Sequence, residues 1–294
     1  MTRGSVNKAQ RRRWALLIPR ILFGLCATAA LAACTGSLLE DGRVRALRTI
    51  SENGFQPALV KAGQFTLYSA SKGRRGAGER LVVYIEGDGR SWKTRYSPPV
   101  DPTPVKPIGL DLAVQDTAPL AVYLARPCQY TRDRDQRGCH PRYWATHRFA
   151  EEAIDAMDRA IDHYKQILGA SEIELVGYSG GGAMAALVAA RRGDVVGLTT
   201  LVAPLDHATW TRHHGTTPMV GSLNPADHTA TLEHIPQTHF VAGDDSVVPA
   251  AVAWSYRARM NDSGKTRIIV REDYDHICCW VRDWKTLRAQ SVPR

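Results

Sequence analysis

The sequence predicts a single α/β domain: a mostly parallel central sheet covered by helices on both faces. Three observations predict it. Beyond about residue 60, short apolar runs rich in β-branched residues alternate with stretches of helical periodicity. The stretch Val176-Gly177-Tyr178-Ser179-Gly180-Gly181-Gly182-Ala183 sits where one such run gives way to alanines. The 294 residues, 44% of them hydrophobic, are enough for one large buried core. Strands that alternate with helices imply right-handed crossovers, which place helices on both sides of a parallel sheet.

In chain order, residues 38 to 50 read as a helix stopped by Asn53-Gly54. Residues 65 to 69 and 81 to 85 (LVVYI) read as strands, separated by the glycine-rich, charged turn SKGRRGAGE. Five prolines make residues 98 to 107 irregular, a short helix is expected over 109 to 114, and AVYLA at 121 to 125 is a third strand. Between Arg148 and Leu168, Phe149, Ile154, Met157, Ile161, Tyr164 and Leu168 recur every three to five residues and define a helix. A strand at 173 to 176, an alanine-rich helix to Ala190 and a strand at 195 to 202 follow. An irregular insert, 204 to 234, comes next. The remainder reads as strand 239 to 242, helix 250 to 260, strand 266 to 270 and helix 283 to 290.

Gly177-Tyr178-Ser179-Gly180-Gly181 fits G-x-S-x-G, and its context is what such a turn requires: IELV before it, GGAMAALVAA after it. A serine hydroxyl is a weak nucleophile and needs a base, itself oriented by an acid. Asp244 and Asp245 follow the strand that begins at His239, and His276 lies in the loop after TRIIV. Strand-end placement in the order Ser, Asp, His singles out His276 from the other histidines.

With these pieces in place, residues 60 to 290 resemble the α/β-hydrolase superfamily. The stretch Gly243-Asp244-Asp245-Ser246-Val247-Val248-Pro249 resembles its acid loop and points to Asp245 over Asp244. The resemblance implies that Ser179 is the nucleophile, His276 the base and Gly180 the first oxyanion donor. The second donor is expected from Glu86-Gly87-Asp88-Gly89-Arg90-Ser91-Trp92, at Asp88 or Gly89. That loop departs from the common His-Gly start, and its two carboxylates would oppose an oxyanion unless they turn away. Trp92, Tyr130, Trp144 and Trp210 are candidates to line an apolar pocket, and the 204 to 234 insert is expected to shape its mouth.

Residues 1 to 33 carry six basic residues and no acid, leaving 32 basic against 29 acidic residues for the remainder. The net charge of +9 is therefore largely a leader property and argues against a nucleic-acid partner. A basic stretch, the apolar run ILFGLCATAALAA and small residues at its end make 1 to 33 a secretory signal. Leu31-Ala32-Ala33-Cys34 resembles a bacterial lipoprotein box, which implies lipidation at Cys34 and a single mature domain from 34 to 294. Cleavage after Ala32 and an uncleaved anchor are the alternatives. Thr35 resembles the pattern of outer-membrane lipoproteins, which places the expected chain on the periplasmic face.

Four cysteines remain after Cys26 and Cys34. In an oxidising compartment an even number suggests disulfides, and the polar loop between Cys128 and Cys139 suits that pair; Cys278 and Cys279 form a vicinal bridge or stay free. No ligand spacing supports a metal, and no phosphate-binding glycine motif occurs, so no cofactor is expected. The expected function is hydrolysis of an ester-type acyl bond in a small-molecule or lipid-like substrate by an envelope-anchored serine hydrolase. A non-catalytic envelope protein that uses the same fold for binding is the alternative.

Overall fold

The computed structural model describes Met1 and residues 41 to 92, 94 and 97 to 291. The expected signal segment, Cys26, Cys34 and the first residues of the helix expected from Leu38 lie outside them. Contacts divide the chain into two units, Met1–Asp41 and Gly42–Arg294. The strands and helices of the described residues belong to the second.

Among the described residues, eight strands form one sheet: β1 (Gln56–Ala62), β2 (Phe65–Lys72), β3 (Arg80–Ile85), β4 (Ala121–Leu124), β5 (Glu172–Tyr178), β6 (Val195–Leu201), β7 (Gln237–Ala242) and β8 (Thr266–Arg271). Their order is β1-β2-β4-β3-β5-β6-β7-β8. β2 pairs antiparallel with β1 and with β4, and every other pairing is parallel. The expected mostly parallel sheet is therefore present.

The α-helices of the described residues are α1 (Gly42–Glu52), α2 (Ile108–Ala113), α3 (Glu151–Leu168), α4 (Gly180–Ala189), α5 (His207–His213), α6 (Thr229–Leu232), α7 (Ala251–Arg257) and α8 (Trp280–Ala289). Alternation along β3 separates the two faces of the sheet. Leu81, Val83 and Ile85 pack with Ile154, Met157, Ile161, Met184 and Leu187 of α3 and α4. Val82 and Tyr84 pack with Ala46, Ile50, Leu110, Trp280 and Trp284 of α1, α2 and α8. Full burial of each large apolar side chain contributes roughly 1.5–3 kcal/mol, so the fold is held from both sides.

Three elements differ from the sequence reading, the first being the insert at 204 to 234, expected to be irregular, which carries α5, capped by the Asp206 carboxylate, and α6. β1 escapes periodicity because it is an edge strand that opens on Gln56-Pro57 and buries only Val60 and Ala62. The helix expected from Arg148 begins at Glu151, because Ala150 is extended and Arg148 is drawn into a salt bridge with Asp88. Glu151 and Glu152 suit the helix N-terminus, and Gly169, at φ 72°, closes the other end by donating its N–H to the Lys165 carbonyl.

Candidate active site

The parallel strands end along one edge, and the residues singled out by sequence lie beyond the ends of β3, β5, β7 and β8. Ser179 takes the turn between β5 and α4 at φ 51° and ψ −126°, a backbone conformation that L residues rarely adopt. The turn is pinned on both sides. Ser179 N–H donates to the Leu201 carbonyl at 2.8 Å, and its own carbonyl accepts from Gly182 N–H at 2.8 Å. A side chain at Gly177 would run into the backbone of Gly181 and Gly182, and one at Gly181 into the carbonyls of Ile85 and Glu86. The glycines are thus required by close approach of helix to sheet.

Asp245 is buried beyond β7, where its Oδ1 accepts from the N–H groups of Val247 at 2.7 Å and Val248 at 2.8 Å. Its Oδ2 faces His276 Nδ1 at 2.8 Å, and His276 Nε2 lies 3.0 Å from Ser179 Oγ. With Nδ1–H donating to Asp245, Nε2 is left as the acceptor for the serine hydroxyl. Asp244 stays exposed and serves through its backbone, whose N–H donates to the Tyr274 carbonyl.

The loop that carries His276 is held from several directions. The Asp275 carboxylate accepts from Ile277 and Cys278 N–H, both at 2.6 Å, and the Tyr178 hydroxyl donates to the His276 carbonyl at 2.8 Å. Cys278 and Cys279 lie at bonding distance from each other, as do Cys128 and Cys139.

The loop after β3 brings Glu86, Gly87, Asp88 and Gly89 to the same cavity as Ser179 and His276. Glu86 accepts from Gly87 N–H and, at the start of α2, from Gly109 and Leu110 N–H, as well as from the Tyr123 hydroxyl. Burial pushes its carboxyl up to about 7 against those hydrogen bonds. Asp88 forms salt bridges with Arg126 and Arg148. Its burial works against ionisation, but the two guanidinium groups outweigh it and hold the carboxyl down at about 2. Both carboxylates are therefore committed to partners. Among the described residues, no protein acceptor meets the N–H groups of Asp88, Gly89 or Gly180.

The Arg126–Asp88–Arg148 cluster is absent from the sequence reading. Arg126 Nη2 also donates to the Arg148 carbonyl at 2.5 Å, and its guanidinium lies 4.9 Å from the centre of the Phe149 ring. A side chain at Gly180 would meet the Asp88 carboxylate and the Arg126 guanidinium, so cluster and serine turn are in contact. One available signal was that Arg126, directly after AVYLA, lies at the same strand edge as the other site residues.

The cavity over Ser179 measures about 660 Å³, within the range of small-molecule sites. Trp92 and Trp210 line it, as do Pro204 and Met219 of the insert. Trp144 does not: it is buried, with its indole N–H on the Pro99 carbonyl at 2.9 Å. Tyr130 likewise packs in the core beside Tyr68, with ring centres 5.0 Å apart.

No protein-family description and no curated protein sequence matches the chain. Its structure is similar to an esterase of Pyrococcus furiosus (TM-score 0.57, 10% identity, covering 82% of this chain and 92% of that one). It is similar to a membrane phospholipase A described as a bacterial virulence factor (TM-score 0.53, 15% identity, 92% and 96%). The chain has the α/β-hydrolase fold. The acylaminoacyl peptidase of Pyrococcus horikoshii has a related structure (TM-score 0.56, 13% identity), with 78% of this chain covering 38% of the peptidase. In an α/β-hydrolase fold the strand ends after β5, β7 and β8 are brought to one edge, which is how Ser179, Asp245 and His276 meet here although up to 97 residues separate them.

Proposed function

We propose that the protein is a serine hydrolase that cleaves an ester-type acyl bond through an acyl-enzyme intermediate. The observation that carries this reading is the continuous chain of contacts from Asp245 through His276 to Ser179. Ser179 Oγ attacks the acyl carbon as His276 Nε2 takes the hydroxyl proton, and the carbonyl oxygen becomes an oxyanion. The N–H of Gly180, with that of Asp88 or Gly89, faces this oxygen. Collapse breaks the bond to the leaving group, which receives the proton from Nε2. Water then repeats the sequence on the acyl-serine, releasing the acid and restoring the hydroxyl. Asp245 holds the imidazole in orientation and stabilises its protonated form. No step calls for a cofactor.

A fluorophosphonate probe is expected to label the wild type at Ser179 and to leave Ser179→Ala unlabelled; peptide mapping by mass spectrometry reads the result. Labelling that persists in Ser179→Ala rejects the assignment.

We also propose that the mature chain begins at a lipidated Cys34 and sits on the periplasmic face of the outer membrane. Leu31-Ala32-Ala33-Cys34 and Thr35 support this location, and two disulfide-distance cysteine pairs suit an oxidising compartment. Cells fed a clickable fatty acid are expected to tag the wild type and not Cys34→Ala. Equal tagging of both removes the anchor from the proposal.

A further inference from the structure

Charge is unevenly distributed over the cavity that holds Ser179. Two carboxylates and three cationic side chains line it: Glu86, Asp88, Arg90, Lys106 and Arg148. Glu86 is turned to backbone N–H groups and the Tyr123 hydroxyl, while Asp88 is shared by Arg126 and Arg148. Two guanidinium groups on one carboxylate leave that cluster with a net positive charge. Arg90 and Lys106 are exposed, and among the described residues neither side chain meets a carboxylate. The acids nearest in sequence are already paired: Asp101 with Arg43 at 2.6 Å and Asp111 with Arg45 at 2.8 Å.

Arg90 and Lys106 rise from two segments that are bonded together. Arg90 N–H donates to the Pro102 carbonyl at 2.9 Å, and Gly89, at φ 65°, packs so closely on Pro102 that a side chain there would strike that carbonyl. The two cations therefore come to the cavity from linked segments. Trp92, 43% exposed, and Val105, 56%, stand beside the cations on the same two segments, while Val247, 45%, and Ile277, 53%, come from the loops of Asp245 and His276. Large hydrophobic residues left this open around a site suit an apolar ligand segment, and unpaired cations beside them suit a negative group on the same molecule.

We infer that the acyl substrate carries an anionic head group, which Arg90 and Lys106 hold while the acyl chain lies against apolar residues of the rim. This rests on the serine-hydrolase reading above and narrows its substrate class. The head group then meets the segments of Arg90 and Lys106, and Val247 and Ile277, on the loops that carry Asp245 and His276, are left for the acyl chain.

The test compares soluble esters with one acyl chain and different heads: butanoyl glycerol, butanoyl glycerol phosphate, and a butanoyl ester of a hydroxy acid. For the wild type, kcat/KM is expected to favour the anionic esters by about tenfold, as two partly solvated charge pairs allow, and the preference should shrink as salt is raised. Preference for the phosphate alone identifies a phosphate head; preference for both identifies any anion. In Arg90→Gln/Lys106→Gln the ratio of anionic to neutral kcat/KM is expected to fall to about one. The charge-conserving pair Arg90→Lys/Lys106→Arg should keep most of it, which guards against a mere folding defect. Equal rates on neutral and anionic esters in the wild type, or a ratio unchanged in the neutralised variant, overturn the inference. If the protein labels with fluorophosphonate and hydrolyses the neutral ester without such a preference, the head-group inference fails alone. A protein that is neither labelled nor able to hydrolyse any of the esters removes the hydrolase reading and this one with it.

Discussion

Ser179→Ala and Asp245→Asn are expected to lower kcat for ester hydrolysis by about a million-fold and about ten-thousand-fold. The first removes the nucleophile and leaves only what the oxyanion donors and binding contribute. The second follows from hydrogen-bond inventory. Asp245 Oδ1 accepts from the N–H groups of Val247 and Val248. An asparagine must put its oxygen there, because its NH2 cannot face two donors. Its NH2 is then aimed at His276 Nδ1, which has to accept instead of donate. The ring proton moves to Nε2, the atom 3.0 Å from Ser179 Oγ, where it blocks proton removal from the serine. Steady-state kinetics on a chromogenic ester checks both. A loss below about tenfold in Asp245→Asn rejects the orienting role.

Asp88→Asn is expected to destabilise the fold by about 3–5 kcal/mol, the cost of leaving buried charge without its partner. The change removes the negative charge that Arg126 and Arg148 share, the two being 4% and 9% exposed, and sets two guanidinium groups against each other. Arg148→Met is expected to cost less, because one carboxylate then still faces one guanidinium. Denaturant unfolding of the two variants gives the order directly, and a larger loss in Arg148→Met contradicts it. Since Asp88 also packs against Gly180, its loss should move the loop that faces Ser179. A displacement of about 1 Å there lowers kcat by about a hundredfold.

Sheet, helices and the serine turn were legible because each is written locally. Leu81 to Ile85 is an apolar run, α3 carries a helical stripe, and Ser179 stands between a strand and a helix. Asp245 and His276 were legible for a related reason: each follows its strand within a few residues, so knowing the strand fixes the edge it occupies. Asp88, Arg126 and Arg148 were not, because their pairing joins residues 38 and 60 positions apart and leaves no periodic trace. β1 was missed because a half-exposed edge strand has little apolar pattern to display. Trp144 and Tyr130 look like Trp92 and Trp210 in sequence, and only packing separates those that fill the core from those that line the cavity.

The Tyr178 hydroxyl donates to the His276 carbonyl, so the residue just before Ser179 reaches across to the loop after β8, although β6 and β7 lie between their strands. Serine and histidine are thereby gauged against each other by a direct strut as well as through the intervening sheet, where Ser179 N–H meets the Leu201 carbonyl of β6. The insert between β6 and β7 is tied to the third member of the set, because the Trp210 indole N–H donates to the Val247 carbonyl at 2.7 Å, two residues past Asp245. A change at Trp210 therefore reaches the cavity wall and the loop that positions Asp245 together.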